Sequence, residues 1–218
     1  MKTTNFLLAA MMLGLSVSGG TQLVLAETID GENSVDVIIN GTIGKLDNTD
    51  PDTNIPEGSD EWINVTVDTA TAFHTTTASA HKNIESADYS IVNNSGRGVA
   101  VTLNKMEGTP KYVDTLTINA KGNGLVATPA ATNLIESNAL VDLTSAPVWM
   151  RLANKDGRLN IATDAASAYA NSAKFNYTGT TTASLPTDVN ENAATENYTL
   201  TLKFTSIQKD GTTLGVTP

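Results

Sequence analysis

The sequence predicts an all-β protein, an Ig-like or jelly-roll-like β-sandwich. Three observations carry this. Thr, Asn, Ala, Val and Ser dominate the chain; Thr and Val favour half-buried pleated strands, and Asn and Gly favour the turns between them. Apolar and polar residues alternate in short runs, the period of a strand with one buried face. Clusters of Asn, Asp, Gly and Ser separate those runs, as in an antiparallel sandwich or barrel.

Taken in order, Val35, Val37 and Ile39 alternate with Asp36, Ile38 and Asn40, and Gly41-Thr42-Ile43-Gly44 continues an extended run. Ile63-Asn64-Val65-Thr66-Val67-Asp68 is a cleaner strand. Tyr89-Ser90-Ile91-Val92 and Val99-Ala100-Val101-Thr102-Leu103 flank Asn93-Asn94-Ser95-Gly96-Arg97-Gly98, a link suited to a hairpin. Leu116-Thr117-Ile118-Asn119 follows, ending at Lys121-Gly122-Asn123-Gly124. Residues 139–143 and 148–152 read as two short strands, and a turn over 154–157 leads into a third over 159–161. Lys174-Phe175-Asn176-Tyr177 comes next, then Tyr198-Thr199-Leu200-Thr201-Leu202-Lys203-Phe204, the strongest alternation in the chain. Lys209-Asp210-Gly211 turns it back toward 213–216. Helical signals are thin: a short helix over 164–172 capped by Asp164, and a turn or so over 129–137. No strand alternates with a long helix, which argues against a nucleotide-binding α/β fold.

The opening residues predict export. Met1-Lys2 is a short positive start, residues 6–17 are nearly all apolar, and Val24-Leu25-Ala26 suits a signal peptidase. That run falls short of the roughly 20 apolar residues needed to cross a bilayer. The expected organisation is a signal peptide over 1–26, an N-terminal strand segment over 27–45, an acidic linker or loop over 46–61, and a β-sandwich domain over 62–218. The 46–61 stretch carries two prolines, many acids and almost no apolar residues. With no cysteine, packing and strand pairing must hold the exported fold. A net charge of −10 repels nucleic acid and anionic lipid.

Few motifs carry chemistry. Asp50, Asp52 and Asn54 alternate and Glu61 lies at the twelfth position, resembling calcium-loop ligand spacing. Against this, Ile55 stands where that loop needs glycine, Pro51 and Pro56 stiffen the path, and no helices flank it. A solvated acidic linker is the competing reading, and no other cofactor is expected. His74 and His81 lack the spacing of a helical zinc pair, and Ser95 does not sit in a nucleophile elbow. Trp62 and Trp149 are the only tryptophans. They are either core residues or exposed ligand-contact platforms for sugar or wall polymer.

A segment order emerges: a leader, a strand ending Asn40-Gly41-Thr42-Ile43-Gly44, a Pro/Asp stretch, Ile63-Asn64-Val65-Thr66-Val67, Ala87-Asp88-Tyr89-Ser90-Ile91-Val92-Asn93-Asn94-Ser95, and the closing Tyr198-to-Phe204 run. It resembles small secreted surface proteins of Gram-positive bacteria, such as those encoded beside WxL-domain proteins. The WxL signature itself is absent, since Trp62 and Trp149 are followed by Ile-Asn and Met-Arg. Leu185-Pro186-Thr187-Asp188-Val189 departs from a sortase signal. The resemblance implies an extracellular or cell-wall-associated location.

The expected function is that of a secreted cell-surface structural or adhesive protein, not an enzyme, acting through its β-sheet surface. Its expected partners are other cell-surface proteins or cell-wall polymer, without nucleic acid and without an integral membrane span after signal cleavage. A homo-oligomer could form by strand donation, with Val35, Val37 and Ile39 filling pockets on a neighbour's sheet edge; the competing reading folds that strand onto its own sheet. A monomeric wall-polysaccharide or glycan-binding module is the alternative, and a secreted hydrolase the third.

Overall fold

Alternating strands with one apolar face must bury that face, and two antiparallel sheets do so here. A computed structural model describes residues 46–183, 185 and 194–213. The expected leader over 1–26, the segment over 27–45 with Val35, Val37 and Ile39, and the chain end over 214–216 lie outside the described residues. From Asp47 onward the chain is one compact unit.

Twelve strands are described: β1 Val65–Val67, β2 Phe73–Thr75, β3 Asn83–Ser86, β4 Tyr89–Asn93, β5 Val99–Glu107, β6 Val113–Lys121, β7 Val126–Ala127, β8 Ala131–Glu136, β9 Ala139–Leu140, β10 Val148–Leu152, β11 Ser172–Thr181 and β12 Thr199–Ser206. The larger sheet runs β1-β4-β11-β6-β8-β9, with β2 and β3 joined to it through β3 on β11. The smaller runs β12-β5-β10-β7. All the pairings are antiparallel, and the architecture is the predicted all-β sandwich.

The core lies between the inward faces. The large sheet supplies Ile84, Ile91, Leu116, Ile118, Leu134 and Phe175, and the small sheet supplies Val99, Val101, Leu103, Met150 and Leu152, all almost fully buried. Neighbouring residues on a strand normally face opposite ways. In β10 the pairing slips between Val148 and Met150, so Trp149 and Met150 are both buried despite being adjacent. The Trp149 ring meets Phe175 of the opposite sheet edge-on, with centroids 6.1 Å apart, and Phe175 packs in turn on Tyr89 and Tyr177.

β11 is the spine of the large sheet. It pairs with β6 on one side, and with β4 and then β3 on the other. Gly179 lies opposite Leu116 of β6, and a Cβ there would collide with the Thr115 carbonyl. Gly179→Ala is therefore expected to destabilise the fold by about 1–3 kcal/mol. Thermal denaturation checks this; an unchanged melting temperature would mean that the sheet can spread at this point.

Two predicted helices are corrected. Residues 131–136 form β8, which completes the outer edge of β6. Its Leu134 and Ile135 side chains gain burial that a one-turn helix on the surface could not give them. Residues 164–171 form turns and irregular structure and Ser172 begins β11. Asp164 does not cap a helix of its own: its carboxylate accepts the Leu159 and Asn160 amides behind it, and Ser167 takes a left-handed φ of 61°. The strand expected over 159–161 is likewise a turn region.

Candidate functional site

Four segments meet at one end of the sandwich: 47–63, 93–98, 153–171 and 207–213. Loops carried on a rigid sandwich are where binding residues usually lie. The link over 93–98 joins β4 to β5 and is the centre of this cluster. Four of the buried polar residues, Asn93, Ser95, Arg97 and Asn154, belong to it.

A buried amide must find partners for two donors and two lone pairs. Asn93 satisfies all four. Its Nδ2 donates to the carbonyls of Arg97 and Ala153, both at 2.8 Å. Its Oδ1 accepts the Ser95 amide at 3.0 Å and the Ser95 hydroxyl at 2.6 Å. Asn154 works from the facing loop: its Nδ2 donates to the Gly96 carbonyl at 3.3 Å, and its Oδ1 accepts the Asp156 and Arg158 amides. The main chain adds Lys155 N–H to the Ser95 carbonyl at 3.0 Å and Asn93 N–H to the Asn171 carbonyl at 2.8 Å.

On its other side the link grips the acidic stretch. Gly96 N–H donates to the Asn48 carbonyl at 2.7 Å. A Cβ at Gly96 would stand 2.7 Å from the Pro51 nitrogen, so only glycine allows this approach. Arg97 closes the clasp. Its Nε lies 3.2 Å from each Glu57 carboxylate oxygen, its Nη2 donates to Oε1 at 2.5 Å, and its Nη1 donates to the Pro51 carbonyl at 2.7 Å. The guanidinium carbon stands 4.1 Å from the ring centre of Trp62, whose Nε1 donates to the Pro56 carbonyl at 3.1 Å. Glu57 also accepts the Lys209 amide at 2.8 Å. Asn160 and Ile161 tie the 153–171 loop to the turn at Lys209 and Asp210.

The acidic stretch is thus a loop fastened to the sandwich, with Ile55 buried beneath it. Its short-range turns are stabilised by its own acids. The Thr49 hydroxyl and amide hold the Asp47 carboxyl below its ordinary value, and Thr212 does the same for Asp210 in the neighbouring turn.

Asp50, Asp52, Asn54 and Glu61, the expected calcium ligands, do not come together as a set. Asp50 Oδ1 accepts the Asp52 amide, a local turn contact, and all four residues are exposed. Among the described residues no three His, Asp or Glu side chains converge on a metal-sized space. Trp62 and Trp149 are corrected as ligand platforms: they are 0% and 1% exposed, Trp62 under Arg97 and Trp149 inside the core. Burial of so large an apolar ring outweighs any gain from leaving it in water.

The outer face of the large sheet is different in kind. Thr115 and Thr180 share a hydroxyl bond of 2.8 Å, Thr117 donates to Asn133 at 2.8 Å, and Asn119 donates to Thr178 at 3.0 Å and Asn176 at 3.3 Å. These cross-strand pairs make a patch of hydroxyls and amides, bordered by Glu136, which accepts from Asn133, and by the exposed Lys121 and Lys174. Among the described residues no helix is long and apolar enough to cross a membrane.

The sequence did not single out Arg97 or Glu57. The signal available was an arginine set between two glycines in a turn, opposite an acid-rich stretch. In comparisons with known proteins, the chain matches no family model and no curated protein.

Proposed function

We propose that this is an exported surface protein that acts by contact, as an adhesive or structural β-sandwich, and not by catalysis. The observation that supports this most is how the buried polar groups are used. Asn93, Ser95, Arg97 and Asn154 are committed to holding four loop segments rigid, so the loop end resembles a preformed docking surface more than a reactive site. The Thr/Asn patch on the outer face of the large sheet offers a second contact area.

The test is retention on surfaces. Fluorescently labelled chain is mixed with intact Gram-positive cells and with their isolated walls, then sedimented. Saturable co-sedimentation is expected with one or both. Protein that stays in the supernatant with every preparation would sink the reading.

Self-assembly is a second reading, favoured by β12. This eight-residue strand is the edge of the small sheet, and among the described residues no strand lies beyond it. A strand from another molecule, with Val35, Val37 and Ile39 as its apolar positions, would extend that sheet. Oligomers that persist after residues 27–44 are deleted would exclude this route.

A further inference from the structure

We propose that the loop over 153–171 holds a binding site for a neutral oligosaccharide, with Tyr169 as the platform for a sugar ring and Asn171, Lys155 and Asp156 as polar contacts. The proposal rests on the adhesive reading and names the ligand class it would serve. Its first ground is the loop. It joins β10 to β11 without a regular element, yet its ends are bonded, Ala153 N–H to the Ala170 carbonyl at 2.8 Å. Long closed loops of this kind are uncommon and are usually functional.

The second ground is preorganisation. Gly157, at φ 78°, lies so close to Ser167 that a Cβ would collide with its Cα. Ser167 itself is held at φ 61°, a conformation that residues other than glycine avoid. Ser167 N–H donates to the Asp156 carbonyl at 2.8 Å and Tyr169 N–H to the Gly157 carbonyl at 3.0 Å. The ring is therefore presented from a fixed backbone, and strain of this kind is typical of ligand clamps.

The third ground is the surface this makes. Tyr169, at 37% exposure, is the one large hydrophobic side chain left exposed among the described residues. It borders a groove of about 480 Å³ shared with Lys155, Asp156, Ser167 and Asn171. That volume suits a small ligand. An aromatic face beside an amide and an ion pair matches a sugar, whose C–H face packs on the ring while its hydroxyls both donate and accept. Lys155 and Asp156 pair at 3.0 Å, so the groove presents balanced charge, and the −10 net charge of the chain disfavours a polyanion.

The experiment is an amide NMR titration of the whole exported chain with three neutral trisaccharides, chitotriose, cellotriose and mannotriose. At least one is expected to shift the Tyr169 and Asn171 amides saturably. Tyr169→Ala is expected to weaken that binding about tenfold, the loss of one aromatic contact, with Tyr169→Phe retaining it. Absence of shifts at 169–171 with all three sugars at millimolar concentration overturns the site, as does binding unchanged in a folded Tyr169→Ala variant. If cells or walls still retain the protein in either case, the adhesive reading stands and only this site falls. If retention fails as well, both fall.

Discussion

Glu57→Ala is expected to cost about 3 kcal/mol of stability, the lower end of the range for breaking a buried ion pair. The lower end applies because the Glu57 side chain is 39% exposed, whereas that of Arg97 is only 4% exposed. Removing the carboxylate leaves a desolvated guanidinium with only the Pro51 carbonyl and the Trp62 face as partners, and strips the Lys209 amide of its acceptor. Releasing the loop to let water reach Arg97 offers no escape, because it would expose Ile55 and Trp62. The reverse change is milder. In Arg97→Met the orphaned carboxylate can turn to water and the apolar stem still covers Trp62, so the expected cost is about 1–2 kcal/mol from lost hydrogen bonds. Thermal denaturation of both variants reads this asymmetry, at roughly 2–4 °C per kcal/mol for a domain of this size. Equal losses, or a larger loss for Arg97→Met, would show that the clasp works through packing and not through charge.

The second large effect is at Trp149. Trp149→Ala is expected to cost about 3–5 kcal/mol, since it empties a site that bridges both sheets. Trp149→Phe is expected to stay within about 1 kcal/mol, because Nε1 of Trp149 is buried without a hydrogen-bond partner and its removal relieves an unmet donor. Trp62→Phe breaks the bond to Pro56 and weakens the stack with Arg97, so it is expected to cost more than Trp149→Phe. Denaturant midpoints with unchanged slopes compare the two directly. If Trp62→Phe proves the milder, the indole nitrogen of Trp62 contributes nothing to the clasp.

The strands that pack against the core were legible in the sequence. The reading of 148–152 coincides with β10, and those of Tyr89, Val99 and the Tyr198 run fall on β4, β5 and β12. In β4 and β12 alternation is imposed by one buried face, and that is a local property, whereas β5 and β10 show as short apolar runs whose adjacent residues are buried together. β3 escaped because Ile84 is its single apolar residue, and β2 because Phe73 is followed by polar residues only. β7 is two residues long, too short for any period to show. β8 shows no clean alternation, because Leu134 and Ile135 are buried side by side, and its conformation is set by pairing along β6.

The loop end was less legible for a different reason. Acidic composition marks 46–61 as solvated, and composition cannot see that Glu57 meets Arg97 from forty residues away. The same limit applies to Trp62 and Trp149: residue type says that a tryptophan is costly to leave exposed, not what covers it. Tyr169 was overlooked because it lay inside an expected helix. Its exposure follows from the turn at Ser167, which depends on close approach to Gly157.

Four segments behaving as one body is the physical basis of the proposed docking end, and amide hydrogen exchange tests it most directly. The Gly96, Lys155, Ile161, Ile207 and Lys209 amides are each bonded across segments. In the wild-type chain they are expected to exchange slowly and at closely similar rates. In Glu57→Ala all five should speed up together while the amides of β10 and β11 stay protected. Acceleration confined to residues 47–62, with the other segments unmoved, would contradict the account.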